Sequence, residues 1–237
     1  MVSPARFYKD VSVSPRDNGF GVLLDGKPIR TPAGAALVIP ARALADAVAE
    51  EWRSQGDKLR LETMILTKLA NTAADRVTAD RLTAIAEILA FARSDLLCYR
   101  ADAPATLVAL QVRTWDPLLE WARERYGAVL ACGTGIGFVE QDTEALAVLE
   151  RAVDEYDSFR LCGVQSAATL LGSTVIALAL ADGKLSTDEA LGAAQLDENY
   201  QAAKWGLDFE AEKRRENLKA ELVAITGFLQ ALEPAKN

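Results

Sequence analysis

The chain contains no histidine among its 237 residues. That removes the side chain most often used as a general base near neutral pH, and the commonest metal ligand with it. Ser-His-Asp and Cys-His catalysis are excluded outright. Cysteine is scarce: Cys98, Cys132 and Cys162 are far apart and form no CxxC pair. Neither a zinc knuckle nor a thioredoxin-like motif is therefore present, and buried free thiols in a reducing compartment are expected. No GxxxxGK[ST] loop occurs. Gly133-Thr134-Gly135 begins like a dinucleotide fingerprint, but the place of its third glycine is held by Phe138. Residues 127–141 are thus read as a glycine-rich turn between two short β-like runs, without a nucleotide. The N-terminus, MVSPARFYKD, shows neither an apolar leader core nor an Arg/Ser-rich presequence. The chain is expected to stay in the compartment where it is made. Internal repeats and low-complexity segments are absent.

Half of the residues are hydrophobic and 25% are charged, as in a globular protein of one large or two smaller domains. The net charge of −8 is unevenly spread. Residues 1–60 hold 9 lysines and arginines against 7 acids, so the remainder carries the whole acidic excess. An acidic body argues against nucleic acid or an anionic membrane as partner.

One long apolar run is present, from Gly163 to Ala181, interrupted only by Gln165, Ser166, Thr169, Ser173 and Thr174. Its polar residues, and the lack of aromatic belts and a flanking Lys/Arg cluster, favour a buried core helix over a membrane span. Gly183 is a plausible stop. Ser186-Thr187-Asp188-Glu189 fits a capping box that starts an amphipathic helix.

The first 40 residues read as strands. Phe20, Val22 and Leu24 alternate with small or polar residues, and Asn18-Gly19 and Asp25-Gly26 are tight-turn signals. Leu37-Val38-Ile39 suggests a further strand. A lone small sheet is marginal in water, and the helix expected over 41–55 can cover it through Leu44, Val48 and Trp52. Trp52 is the expected anchor between this helix and the sheet. Ser54-Gln55-Gly56-Asp57 breaks the pattern. From Thr67 onward the periodicity is helical, with stripes at Leu82, Ile85, Ile88, Leu89 and Phe91, then at Leu107, Trp115 and Leu118. The expected fold is α+β. A small N-terminal antiparallel sheet with a covering helix (1–58) precedes a larger all-helical domain (59–237).

The densest polar and aromatic cluster runs from Leu196 to Glu210. On a helix, Glu198, Gln201 and Trp205 share one face. Adjacent residues point about 100° apart, so Asp197 and Glu198 do not converge. A small cytoplasmic enzyme using Asp197, Glu198 and Asp208 is one reading. A protein-recognition surface is the other, because an aromatic beside charges at an exposed helix end suits partner binding. No cofactor-binding or metal-ligand spacing accompanies the cluster.

Seven stretches carry a resemblance. They are RFYK (6–9), LDGKPIRTPAG (24–34), EEWRSQ (50–55), MILTKLANTAADR (64–76), DLLCYRA (95–101), WDPLLEW (115–121) and LDENYQAAKWGLDFEAE (196–212). Taken together and in this order, they resemble the Atp12 family of assembly chaperones for the F1 sector of ATP synthase. The resemblance implies a small N-terminal α/β domain, a larger helical one and a function without catalysis or cofactor. It implies binding of the free F1 α subunit, which is kept from aggregating until β subunits replace the chaperone. The family's critical glutamate, in its LDE-type motif, falls at Glu198. Trp205 and Asp208 are expected as its neighbours on the same surface from helix geometry, and Asp197 and Gln201 complete the expected partner-binding set. The absence of a presequence fits a bacterial cytoplasmic protein, the counterpart of family members in the mitochondrial matrix. One client chain suggests a monomer.

Overall fold

Two turns shape the N-terminal sheet. The computed structural model describes residues 4–135, 137–206 and 209–233. β1 (Val11–Arg16) and β2 (Gly19–Leu24) form an antiparallel hairpin closed by Asp17-Asn18, and β2 pairs on its other side with β3 (Lys27–Pro28). The second turn, Asp25-Gly26, has φ of 48° and 79°, the type I′ geometry that Asp-Gly favours. Asp25 Oδ1 also accepts from the backbone of Lys9 (3.0 Å) and Asp10 (2.8 Å), tying the entry of β1 to that turn. Gly19 is required for space. A Cβ there would lie 2.3 Å from the Ile39 oxygen, because Phe20 and Ile39 exchange two backbone hydrogen bonds of 2.8 Å. The strand expected over residues 37–39 is reduced to that one bridge.

α1 (Arg42–Arg53) covers β1 and β2 with Leu44, Ala45, Val48 and Ala49, all fully buried. Trp52 is only half-buried. Its ring meets Tyr8 edge-on at 5.6 Å, and the Tyr8 hydroxyl donates to its backbone oxygen at 2.6 Å. The indole therefore binds the segment before β1 to the end of α1, while the sheet interface itself is filled by smaller side chains. After α1 a 3-10 turn, Leu61–Thr63, leads into α2 (Ile65–Thr72) and a π-helical turn, Ala73–Val77. No side chain of its own caps α2. Glu51 of α1 supplies the acceptor. Its Oε1 takes the Leu66 N–H, and its Oε2 takes the Thr67 N–H and hydroxyl, all at 2.7 Å. A helix start has unpaired N–H groups and favours negative charge.

The helices that follow are α3 (Arg81–Arg93), α4 (Ala105–Tyr126), α5 (Thr143–Asp154), α6 (Ser158–Leu171), α7 (Thr174–Ala181), α8 (Thr187–Ala194), α9 (Leu196–Trp205) and α10 (Phe209–Leu232). A parallel pair, β4 (Tyr99–Arg100) with β5 (Gly133–Thr134), interrupts them. Several local signals are realised. Asp142 caps α5, Ser186 and Glu189 form both halves of the capping box, and Gly183 ends α7 at φ 68°. In α3, Ile85, Ile88 and Leu89 are buried, but Leu82 in its first turn is exposed.

The single core helix expected over the apolar run is two helices. Gly172 takes a left-handed φ of 66°, ending α6, and Ser173 caps α7 by accepting from the Ile176 N–H at 3.0 Å. A left-handed glycine followed by a serine cap overrides the continuous apolar pattern. Every residue of α7 is buried. Behind its start lies Asp95, also fully buried. This carboxylate accepts from Ser173 Oγ (2.7 Å), Val175 N (3.0 Å) and Leu97 N (3.1 Å).

Two compact units result. One holds residues 4–81, 157–163 and 224–233, and so includes the sheet, α1 and α2; the other holds residues 82–156 and 164–223. In the first, a Cβ at Gly163 would lie 2.6 Å from Leu229 Cδ2, and Phe159 stacks on Phe228. Among the described residues, no helix is long and apolar enough to cross a membrane.

Candidate functional site

α9 is held from one side by α4. The Trp115 indole N–H donates to the Ala193 oxygen at the end of α8 (2.9 Å). Buried Gln111 donates to Asp197 Oδ1 (2.8 Å) and accepts from the Ala101 N–H (2.9 Å). The hydroxyls of Tyr200 and Thr106 share a hydrogen bond of 2.5 Å. Leu196 is buried beneath. Thus Leu196, Asp197 and Tyr200 form the inward face, at the i, i+1, i+4 spacing of one side of a helix. Lys204 lies 4.5 Å over the Tyr200 ring, and its hydrogen bond, followed by that of Thr106, holds the phenol below its ordinary pKa.

The outward face carries Glu198, Gln201 and Trp205, all exposed. Trp205 is 85% exposed, and Gly206, with φ 82°, ends the helix. The expected grouping of these three on one face is realised. Asp197 departs from it, turned inward to Gln111. Asp208 lies outside the described residues. Trp52 is in the other compact unit and takes no part here.

Two grooves flank α8 and α9. One, about 410 Å³, has apolar walls from Leu110, Leu118, Leu185 and Leu196. The other, about 380 Å³, lies against α10 and is charged, with Arg215, Glu216 and a Lys219–Asp188 ion pair of 2.9 Å. Gln195 Oε1 and Asn199 Oδ1 are buried there without a partner among the described residues. Glu198 lines neither groove. The sequence pointed to neither, because their walls are built from separate helices: Leu110 faces Leu196 in one, and Asp188 faces Lys219 in the other. Carboxylates with raised pKa values are found elsewhere: fully buried Asp95, which burial pushes up to about 6, and partly buried Glu51, also raised by burial. Both accept hydrogen bonds from helix starts and face no cleft at α9. Among the described residues, no three His, Cys, Asp or Glu side chains are grouped to hold a metal ion. Chemically, the outward face offers a carboxylate, an amide and an indole for contact.

A sequence model described as ATP12 chaperone protein matches residues 5–123. The crystal structure of a candidate chaperone from Agrobacterium tumefaciens superposes with a TM-score of 0.93 at 41% identity, covering 97% of this chain and 87% of that one. That of Atp12 from Paracoccus denitrificans gives 0.92 at 35% identity, covering 97% and 99%. Protein atp12, mitochondrial, of Schizosaccharomyces pombe is 23% identical over 96% of this chain and 83% of its own length. With half its length matched by the family's sequence pattern and its whole fold shared with close structural relatives, this chain belongs to the Atp12 chaperone family.

Proposed function

We propose that the chain is an assembly chaperone for the F1 sector of ATP synthase. In this reading it binds the free α subunit and keeps that subunit's apolar interface from aggregating until β subunits take its place. The observation that carries the reading is the exposed Glu198, Gln201 and Trp205 face on a helix fixed from behind by α4. A helix already rigid loses little freedom when a partner docks, and an exposed tryptophan beside polar groups suits a protein contact. Asp197 acts as a positioning residue through Gln111. Charges at the rim of such a contact tune rate and specificity more than affinity, which suits a chaperone that must let go. Family membership supports a chaperone; that it acts without cofactor, as a monomer in the bacterial cytoplasm, is part of the proposal.

An enzyme built on Asp197, Glu198 and Asp208 would need converging carboxylates in a cleft. The inward turn of Asp197 and the outward exposure of Glu198 speak against it.

The test is co-expression with the α subunit of the same organism's F1, followed by size-exclusion chromatography. A soluble complex is expected to co-elute. Glu198→Lys should abolish co-elution while leaving stability within about 0.5 kcal/mol, as for other exposed substitutions. Normal co-elution by the folded variant would remove α9 as the contact.

A further inference from the structure

We infer that a groove in the sheet-bearing unit is a second polypeptide site, taking an extended segment with an apolar side chain beside a carboxylate. The inference rests on the chaperone reading in that the segment would come from the client. The groove encloses about 530 Å³. Three of its lining residues each bury a polar atom without a hydrogen-bond partner among the described residues: Thr31 Oγ1, Trp52 Nε1 and Asn71 Oδ1. Thr31 itself is 4% exposed. Buried polar groups in native proteins are nearly always paired, so three on one groove call for a partner that supplies both donors and acceptors. The indole N–H can only donate, the amide oxygen can only accept, and the hydroxyl can do either. An extended peptide backbone offers that alternation of C=O and N–H.

The remaining walls set the side chains of the occupant. Pro32, Leu61 and Met64 are apolar, and Leu61 is 60% exposed at the surface of the groove. Arg30, Lys68 and Arg76 add three cations. Among the described residues, neither Lys68 nor Arg76 has an ion-pair partner. The one acid of the lining, Asp75, is engaged by the Ala33 N–H at 2.9 Å. A basic lining on a chain of net charge −8 selects a carboxylate. The stretches 24–34, 50–55 and 64–76, three of those that carry the family resemblance, supply every lining residue except Leu61.

The test uses fluorescein-labelled 12-residue peptides titrated with the full chain and read by anisotropy. One set tiles the F1 α subunit; the other consists of unrelated designed peptides of acidic–apolar composition. Acidic–apolar peptides are expected to bind, more weakly as salt rises. Trp52→Phe, which keeps a ring but no N–H, should weaken binding about tenfold. The exposed double reversal Lys68→Glu/Arg76→Glu should weaken it at least as much and leaves the core untouched. The inference is overturned if no acidic–apolar peptide binds, or if both variants stay within twofold of the parent. Displacement of the peptide by equimolar decanoate would also overturn it, by assigning the groove to a small apolar carboxylate. Designed peptides binding through the groove, with an α subunit that neither co-elutes nor yields a binding peptide, would uphold the groove and reject the chaperone reading.

Discussion

Asp95 and Glu51 are two carboxylates given the same task in different surroundings. Each gathers two backbone N–H groups and one hydroxyl, Glu51 all from the start of α2, Asp95 from the start of α7 and from its own following turn. Asp95 takes Leu97, Val175 and the Ser173 hydroxyl, and Glu51 takes Leu66, Thr67 and the Thr67 hydroxyl. Burial raises both pKa values against the pull of those hydrogen bonds. The difference is access to water: Asp95 is fully buried, whereas Glu51 is only partly buried. With equal bonding, the cost of losing each carboxylate is therefore set by whether its abandoned donors can turn to solvent.

The largest effect should come from Asp95→Ala. It strands the Val175 and Leu97 N–H groups and the Ser173 hydroxyl in the core, at a cost on the order of 4 kcal/mol. Against a typical total of about 5–15 kcal/mol, that is a large share of the stability. Urea denaturation followed by circular dichroism measures this, and a loss below about 1 kcal/mol would break the comparison. Glu51→Ala should cost less, about 1–2 kcal/mol, because water can reach the freed end of α2. The same titration ranks the two, and a reversed order would mean that burial does not decide the cost.

Neither carboxylate's role was legible in the sequence. Asp95 and Glu51 both sit in stretches that carry the family resemblance, but the donors of Asp95 include residues 78 and 80 positions away. Local signals fared well where they were self-contained. Asp25-Gly26 made its turn, and Ser186 with Glu189 closed its capping box. Gly172-Ser173 was equally local, a helix stop followed by a cap, yet the apolar residues on both sides hid it. Leu82 failed for a related reason, since periodicity says nothing of whether a helix's first turn is covered. At the candidate site, helical spacing was enough to group Glu198, Gln201 and Trp205. It could not show that Asp197 is taken by Gln111, 86 residues earlier. The groove at Thr31, Trp52 and Asn71 was invisible because three separate segments build it.

The smallest effect sharpens the comparison most, because it isolates burial from bonding. Asp95 in the folded chain titrates at about 6, above the ordinary aspartate value near 3.9 of an unfolded chain. The folded state thus holds its proton more tightly. The resulting stabilisation is fully present below about pH 4 and is lost as pH rises through about 6. Asp95→Asn cannot titrate, so its deficit relative to the parent should be larger at pH 4.5 than at pH 7.5, by about 1–2 kcal/mol. Glu51→Gln should show the same sign with a shallower slope, since its carboxylate keeps some contact with water. Urea midpoints of the parent and both variants across this range read the two slopes directly. A flat Asp95 difference, or one that grows toward pH 7.5, would mean that the donors around it outweigh its burial. The two carboxylates would then differ in bonding strength rather than in access to water.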